Sequence, residues 1–237
     1  MKPLLSERRV IDAAEAMARS LGDDPNHTVA AAAMDTRGRI HTAVNVYHFS
    51  GGPCAELVAL GAAAAANAGP LVAMAAAGDR GRGLIPPCGR CRQVMLDLHP
   101  DLLVAVPTED GPEMRPIAKL LPDTYFSPGA RACRVMRFNR RYYDAIVSGH
   151  KTSTVRWDER VAIGPAVLYF EDDDEHGPLH GRIHAVNRYA LSELTPERLR
   201  LSDGDSVDGY LEILRQHYPR MPHDAAVDVV DFGLSSS

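Results

Sequence analysis

Two short cysteine-containing segments constrain this chain more than any other feature. They are residues 54–56 (Cys-Ala-Glu) and residues 87–91 (Pro-Cys-Gly-Arg-Cys). Zinc in proteins prefers four tetrahedral ligands, and a catalytic zinc site keeps one of the four positions open. Three sulfur ligands from Cys54, Cys88 and Cys91 would leave that position for water. The pattern therefore predicts one zinc ion per chain, with a glutamate two residues away from a ligand.

The glutamate has a chemical reason to be there. Zinc lowers the pKa of water, so that hydroxide is present near neutral pH. The Cys-x-Glu and Pro-Cys-x-x-Cys segments resemble the signature of zinc-dependent deaminases, which implies attack of hydroxide on the amino-bearing carbon of a pyrimidine. This step needs a group that moves protons, and Glu56 can do this without binding the metal. A structural zinc knuckle or a redox pair is the alternative interpretation of Cys-x-x-Cys alone. The Cys-x-Glu segment favours catalysis, because structural sites normally have four protein ligands and the remaining cysteine is Cys133.

Both cysteine segments are expected to begin helices. Residues 56–68 are rich in Ala and Leu and follow a Gly-Gly-Pro break, and residues 88–98 follow a Pro-Pro break. The positive end of a helix dipole favours thiolates and carboxylates. We therefore predict that two helix starts converge on one metal ion.

The rest of the first half predicts a sheet covered by helices, which is the α/β class. Apolar residues at helical spacing predict a helix over 6–21, before the first strand. Apolar runs bounded by turn residues predict strands over 28–34, 40–47, 70–77 and 102–107, and a short strand over 114–117.

Length and composition limit the remaining possibilities. A chain of 237 residues is expected to form one or two domains, and 45% hydrophobic with 24% charged residues is ordinary for a soluble globular protein. The net charge of −5 argues against a polyanion binder. We see no signal peptide or membrane-spanning stretch and expect no membrane partner. Because three of the four cysteines are assigned to a metal, we expect a reducing compartment, the cytoplasm.

The second half has a different character. Residues 127–130 (Ser-Pro-Gly-Ala) predict a linker, so we expect domains over 1–126 and 134–237 joined by 127–133. Between residues 131 and 160 the chain carries eight basic and three acidic residues, whereas residues 161–237 carry six and fourteen. Helices are predicted over 140–148 and 206–217, and strands over 151–157, 161–170, 179–189 and 226–232.

Residues 45–58 (Asn-Val-Tyr-His-Phe-Ser-Gly-Gly-Pro-Cys-Ala-Glu-Leu-Val) and 87–93 resemble the cytidine deaminase family. Within that family they are most similar to blasticidin S deaminase, and the resemblance extends from about residue 6 to 125. It implies a mixed five-stranded sheet in α/β/α layers, a nucleoside substrate and a homo-oligomer, either a tetramer or a dimer.

The resemblance also implies residue roles. Cys54, Cys88 and Cys91 would bind zinc, Glu56 would carry protons, and Asn45 and Tyr125 would contact the substrate. Family members often have Arg after the glutamate, where this chain has Leu57, so we assign to Arg90 the task of donating hydrogen bonds to the sulfur ligands. The strand over 28–34 lacks the aromatic residue that commonly stacks on the base, and no Trp follows Tyr125 as in blasticidin S deaminase.

Residues 149–156 (Gly-His-Lys-Thr-Ser-Thr-Val-Arg) resemble the ASCH domain, a small β-barrel akin to the PUA RNA-binding fold. Some ASCH proteins hydrolyse the amide of N4-acetylcytidine with a Lys, a Thr and a distal acid. Lys151 and Thr154 match by spacing, Asp203 stands where members commonly have Glu, and Arg156 would bind substrate. The alternative is that Lys151 and Arg156 hold a ligand phosphate or pair with acids.

Three hypotheses follow from the two halves together. The first is a zinc-dependent hydrolytic deaminase of a cytosine nucleoside or analogue, such as cytidine, deoxycytidine or blasticidin S, joined to an ASCH domain that binds or deacylates nucleosides. The second is a nucleic-acid-binding protein whose second half presents RNA or DNA to the first. The third is a two-step enzyme that deacylates a modified cytidine and then deaminates the product.

Overall fold

A computed structural model describes residues 1–127, 134–201 and 205–235. The chain divides into two compact units. Unit 1 contains Met1–Arg137 and Tyr169–Pro178, and unit 2 contains Phe138–Leu168 and Leu179–Ser237. All of the predicted linker except Ser127 lies outside the described residues. The domain limits that we inferred from the sequence therefore remain a prediction.

The sheet of unit 1 is mixed, as the family resemblance implied. Among the described residues its strands follow the order β2-β1-β3-β5-β6, and a short strand, β4, pairs with β3. The β3–β5 pair is parallel and the other pairs are antiparallel. Sequence analysis missed β4, because three residues are too few for a periodic pattern. The strands are β1 (Val29–Asp35), β2 (Ile40–Val44), β3 (Leu71–Gly78), β4 (Gly83–Ile85), β5 (Leu103–Thr108) and β6 (Gly111–Pro116).

Helices cover both faces of this sheet. Four of the seven residues of β1 are alanines in succession, so its alternating side chains are apolar on both faces. Ala30 and Ala32 belong to the core formed with α1, whereas Ala31 and Ala33 belong to the core formed with α2 and α3. The α/β/α layers implied by the family resemblance are therefore present. The helices are α1 (Leu5–Ser20), α2 (Ala55–Ala65), α3 (Gly89–Leu98) and α4 (Ile117–Leu120).

A second sheet has the strand order β7-β9-β10-β11-β8. The pairs β9–β10, β10–β11 and β11–β8 are antiparallel. Sequence analysis missed β7 and the one-turn helix α6, and the helix predicted over 140–148 is a 3₁₀ turn followed by α5. The elements are β7 (Arg134–Asn139), α5 (Tyr143–Val147), β8 (Ser153–Arg156), β9 (Gly164–Glu171), β10 (Leu179–Ala190), α6 (Pro196–Leu199), α7 (Val207–His217) and β11 (Ala226–Leu234).

Helix α7 is anchored over β8 and β11. Ser206 caps its start by accepting a hydrogen bond from the backbone N–H of Gly209 at 3.1 Å. Leu214 of α7 packs in one core cluster with Val155 of β8 and Val229 of β11. This packing places the aromatic side chains of α7 beside β8. Within the described part of the chain, no helix is both long enough and apolar enough to cross a bilayer.

The approach to α2 has no room for a side chain at Gly52. A Cβ there would lie 1.7 Å from the backbone oxygen of Val46, so the backbone would have to move. We therefore expect Gly52→Ala to lower the free energy of unfolding by about 2 kcal/mol or more. Thermal unfolding with zinc present measures this change.

Gly61→Ala is the matched control for that substitution. Gly61 is exposed within α2, and a Cβ there would meet nothing within 4 Å. This change should leave stability unchanged or raise it by up to about 1 kcal/mol, because alanine favours helices over glycine. Equal melting temperatures for the two variants would contradict the steric argument.

Candidate metal centre

The predicted helix starts are confirmed. Cys54 immediately precedes α2 and Cys88 immediately precedes α3, and both have an extended backbone. Cys91 lies within the first turn of α3 and is fully buried. Pro53 comes directly before Cys54 and Pro87 directly before Cys88, and proline does not allow a helix to extend through it from the preceding chain. Cys54 and Cys88 therefore lie at the N-terminal ends of their helices.

The three sulfur atoms are close enough to share one ion. The Sγ atoms of Cys54 and Cys88 are 3.8 Å apart, and all three Sγ atoms lie within 4.8 Å of one another. Tetrahedral zinc with Zn–S bonds of about 2.3 Å would place two sulfur ligands about 3.8 Å apart. The three cysteines form no disulfide with one another. Their geometry therefore fits zinc without rearrangement of the helices.

The cysteine cluster leaves a coordination position for a ligand that is not protein. Within the described residues (1–127, 134–201 and 205–235), one group of three or more potential metal ligands is present. It consists of Cys54, Cys88 and Cys91, and no His, Asp or Glu joins them. Cys133 lies outside the described residues. Three protein ligands and an open fourth position are the arrangement of a catalytic zinc site.

Glu56 lies beside the sulfur atoms and is only 5% exposed. Burial raises the pKa of its carboxyl group, which hydrogen bonding to its own backbone N–H and to the Cys91 thiol partly offsets. Burial also raises the pKa of Cys91, and the nearby Glu56 carboxylate adds to the effect. When acidic groups lie this close together, each negative charge makes ionisation of the next group less favourable. A divalent cation among them would instead favour the ionised forms.

The side chain of Asn45 ties two strands together. Its Oδ1 accepts hydrogen bonds from the backbone N–H groups of Thr28 and Val29, each at 2.8 Å. Its Nδ2 donates to the backbone oxygen of Asn26 at 3.1 Å. The amide therefore anchors the start of β1, and the substrate contact that we assigned to Asn45 remains a prediction.

The two other residues assigned near the metal lie at the surface. The Arg90 side chain is exposed, and its backbone N–H is hydrogen-bonded to the Cys88 thiol. Tyr125 is also exposed, and its carbonyl accepts a hydrogen bond from Nε2 of Gln93 at 3.0 Å. Their roles beside the sulfur ligands and the substrate remain predictions.

Sequence reasoning missed Arg92, which braces the turn before Cys88. Its Nε donates to the backbone oxygen of Pro87 and its Nη1 donates to that of Leu120, both at 2.8 Å. The contact with Pro87 could have been predicted from the sequence, because an arginine in the first turn of a helix lies within reach of the carbonyl just before that helix. Arg92 therefore positions the ligand-bearing turn.

Thr154 and Arg156 lie on β8, and Lys151 lies two residues before that strand. Burial, followed by the charges of Arg156 and Arg141, lowers the pKa of Lys151 to about 8. Its Nζ lies 4.8 Å from the centre of the Tyr142 ring. Asp203, the acid predicted to act with them, lies outside the described residues.

Aromatic residues on other elements complete this cluster. Burial raises the pKa of Tyr210, and hydrogen bonds to the Val155 backbone and the Thr154 side chain act in the opposite direction. Thr154 itself is 7% exposed. Sequence reasoning missed Tyr142 and Tyr210, because they come from different elements and no spacing links them to β8.

Three sulfur atoms and a buried glutamate at two helix starts define unit 1 as a zinc-binding protein. Residues 6–106 match the family described as the cytidine and deoxycytidylate deaminase zinc-binding region. The cytidine deaminase of Mycobacterium tuberculosis (strain CDC 1551 / Oshkosh) is 38% identical over 100 residues, which are 41% of this chain and 71% of that protein. The chain belongs to the cytidine deaminase family, whose members are hydrolytic deaminases.

Solved structures are similar to each half of the chain. The cytidine deaminase of Burkholderia pseudomallei is 33% identical, covers 50% of this chain and 98% of its own, and has a TM-score of 0.42. The C-terminal region is similar to an ASCH domain from Lactobacillus crispatus JV V101, with 13% identity, 43% of this chain and 79% of that chain covered, and a TM-score of 0.36. The specific closeness to blasticidin S deaminase remains a prediction.

The cysteine geometry predicts that Cys88→Ala loses zinc. Two sulfur ligands cannot complete the site, so metal analysis of the purified variant should show much less than one zinc per chain. Cys133→Ala is the matched control, because it removes a cysteine outside the Cys-x-Glu and Cys-x-x-Cys segments, and it should retain full zinc. Full zinc in Cys88→Ala would refute the assignment.

Proposed function

We propose that unit 1 deaminates the cytosine ring of a nucleoside or nucleoside analogue, with cytidine, deoxycytidine and blasticidin-S-like molecules as candidates. The observation that carries this proposal is the 3.8 Å spacing of Cys54 and Cys88 with Glu56 buried beside them. Zinc, when bound, supplies an electrophilic centre that makes water acidic near neutral pH. The overall reaction adds water to the amino-bearing ring carbon and releases ammonia.

Glu56 moves the protons of this reaction. Its carboxylate takes a proton from water, gives it to the ring nitrogen next to the amino-bearing carbon, and later protonates the departing amine. Burial keeps bulk water away from the carboxyl group, so that it exchanges protons with the substrate and not with solvent. Asn45 contacts a sugar hydroxyl, Tyr125 contacts the substrate, and Arg90 donates hydrogen bonds to the sulfur ligands.

The surface beside the metal centre supports assembly into a homo-oligomer of two or four chains. The segment that leads from β2 to α2 exposes Val46, Tyr47 and Phe49, and Phe49 is 90% exposed. Adjacent apolar side chains of this size are more typical of an interface than of a solvated loop. The thiol ligands require a reducing compartment, so we also propose that the protein is cytoplasmic.

Glu56→Gln tests the proton-transfer role. The amide preserves the size of the side chain but cannot carry a proton, so kcat for ammonia release should fall by about 100-fold or more. Zinc content and melting temperature should stay at wild-type values. Glu109→Gln, at an exposed acid in a turn, is the control and should keep full activity. A Glu56→Gln enzyme within about tenfold of wild type would exclude the role.

The choice of substrate is tested by one assay. Ammonia release is measured with cytidine, deoxycytidine, cytosine, blasticidin S and a cytosine-containing oligonucleotide under identical conditions. A nucleoside deaminase acts on the first two, and a blasticidin-type enzyme prefers blasticidin S. Release from the oligonucleotide alone would favour the nucleic-acid hypothesis.

We propose for unit 2 an ASCH-type amidohydrolase activity on acylated cytidines such as N4-acetylcytidine. The pKa of Lys151, lowered to about 8, supports this proposal, because a neutral lysine can act as a base near physiological pH. Lys151 takes the hydroxyl proton of Thr154, whose oxygen attacks the amide carbon, and the proton then passes to the departing N4 nitrogen. Water afterwards hydrolyses the acetyl ester on Thr154 and releases acetate. Asp203 is the acidic residue that acts together with Lys151 and Thr154.

Hydrolysis of N4-acetylcytidine is measured in the full chain carrying Glu56→Gln, so that the product cytidine is not deaminated. Thr154→Ala should abolish turnover, and Thr154→Ser should retain part of it because a hydroxyl remains. The rate should rise with pH and level off above about 8, because Lys151 accepts a proton only when it is neutral. Turnover by Thr154→Ala, or a rate that falls through this pH range, would contradict the mechanism.

The nucleic-acid hypothesis is the second candidate, and the basic stretch over 131–160 favours it. An RNA-presenting domain would bind RNA with a steep dependence on salt concentration. It would show no hydrolysis of N4-acetylcytidine. If both activities of the full chain are present, the two-step enzyme is the remaining interpretation, and cytidine released by unit 2 becomes the substrate of unit 1.

A further inference from the structure

The side-chain amide of Gln93 joins α3 to the chain that follows α4. Its Nε2 donates to the backbone oxygen of Tyr125 at 3.0 Å and to Oδ2 of Asp97 at 3.1 Å. Its Oε1 accepts a hydrogen bond from the Thr124 hydroxyl at 2.7 Å. Asp97 lies one turn further along the helix, so its carboxylate fixes the orientation of the amide.

A glutamine suits these three contacts because its amide offers two N–H donors and an acceptor oxygen. A glutamate in its place would lack the donor for the Tyr125 carbonyl and would meet the like charge of Asp97. A lysine would lack the acceptor for the Thr124 hydroxyl. The contacts of Gln93 therefore depend on the chemistry of the side chain as well as on its length.

The segment that Gln93 holds has a second anchor on the same helix. Nη1 of Arg92 donates to the backbone oxygen of Leu120 at 2.8 Å. Two consecutive side chains of α3 thus bind the carbonyls at both ends of residues 120–125. The same helix carries a predicted metal ligand, because Gln93 follows Cys91 by two residues, about 3 Å along the helix axis.

The backbone of this segment needs such an anchor. Residues 121–125 lie outside helices and strands, and the Tyr125 side chain is 71% exposed. Fixing an exposed ring on irregular backbone during substrate binding costs conformational entropy. Hydrogen bonds that fix the backbone beforehand reduce this cost, and the oxygen that Gln93 binds is the carbonyl oxygen of Tyr125 itself.

We propose that Gln93 is a positioning residue for substrate binding, which places Tyr125 through the carbonyl of that residue and through the Thr124 hydroxyl. This inference rests on the function proposed for unit 1, in which Tyr125 contacts the substrate. Gln93 acts through Tyr125 and takes no part in the proton transfers of Glu56. Its loss therefore weakens substrate binding and leaves the chemical step unchanged.

Gln93→Met tests this role in the full chain. Methionine is similar to glutamine in length and in helix propensity, but it has no N–H donor. KM and kcat are measured by ammonia release from cytidine and from blasticidin S. We expect KM to rise by about threefold to tenfold, the effect of losing one or two hydrogen bonds, with kcat within about twofold of wild type. Zinc content should stay at one ion per chain.

Variants at Thr124 and Gln216 separate this role from a general loss of stability. Thr124→Val removes the hydroxyl that binds Gln93 and should raise KM in the same direction, whereas Thr124→Ser keeps a hydroxyl and should retain the wild-type KM. Gln216→Met is the matched control. Gln216 is exposed on α7, so the same exchange there should change neither KM nor kcat.

A double substitution tests whether Gln93 acts through Tyr125. Tyr125→Ala removes the side chain that is being placed, so Gln93→Met should raise KM no further in that background. Three results would overturn the positioning role alone and leave the substrate contact of Tyr125 intact. These are additive effects of the two substitutions, loss of zinc from Gln93→Met, or a KM that Tyr125→Ala raises and Gln93→Met does not.

Other results would reach the proposed function as well. A KM that Tyr125→Ala leaves unchanged would exclude the substrate contact of Tyr125 and the positioning role with it. Absence of ammonia release from both cytidine and blasticidin S would exclude the deaminase proposed for unit 1, and the role of Gln93 would fall with that function.

Discussion

The packing of α2 and α3 against alanine side chains is the constraint on which the metal centre depends. Ala31 and Ala33 of β1 lie in one core cluster with Ala59 and Ala63 of α2 and with Met95 of α3. Small side chains let both helices approach the sheet closely, so their N-terminal ends meet. Zinc tolerates errors of only about 0.2 Å in its bond lengths. A larger side chain under either helix would separate the sulfur atoms by more than that.

The two units gather charges of opposite sign. In unit 1, three thiols lie close together beside the buried Glu56, and burial raises the pKa of Glu56 and of the buried Cys91. In unit 2, burial and the charges of Arg156 and Arg141 lower the pKa of Lys151. Crowding of ionisable groups in the first cluster costs free energy, and a divalent cation bound by the sulfur atoms would relieve that cost.

Much of the metal centre was predictable because its determinants are local. The spacing of Cys54, Glu56, Cys88 and Cys91 and the Gly and Pro breaks before each helix depend on neighbours in the chain. The strands of unit 1 were predictable for a similar reason, because buried apolar runs between turn residues are strong signals. The helix predicted over 140–148 was partly wrong, because five residues of α5 follow a 3₁₀ turn there.

The sequence by itself determined which residues can bind the metal, where their helices begin and which family the chain resembles, because these properties depend on residue type and short spacing. Tertiary structure alone decided that Asn45 anchors β1, that Arg92 also reaches the carbonyl of Leu120, that Tyr142 meets Lys151, and that Tyr210 meets β8. These contacts join positions far apart in the chain or on different elements. Their geometry is set by how helices and sheets pack, and no local pattern encodes it.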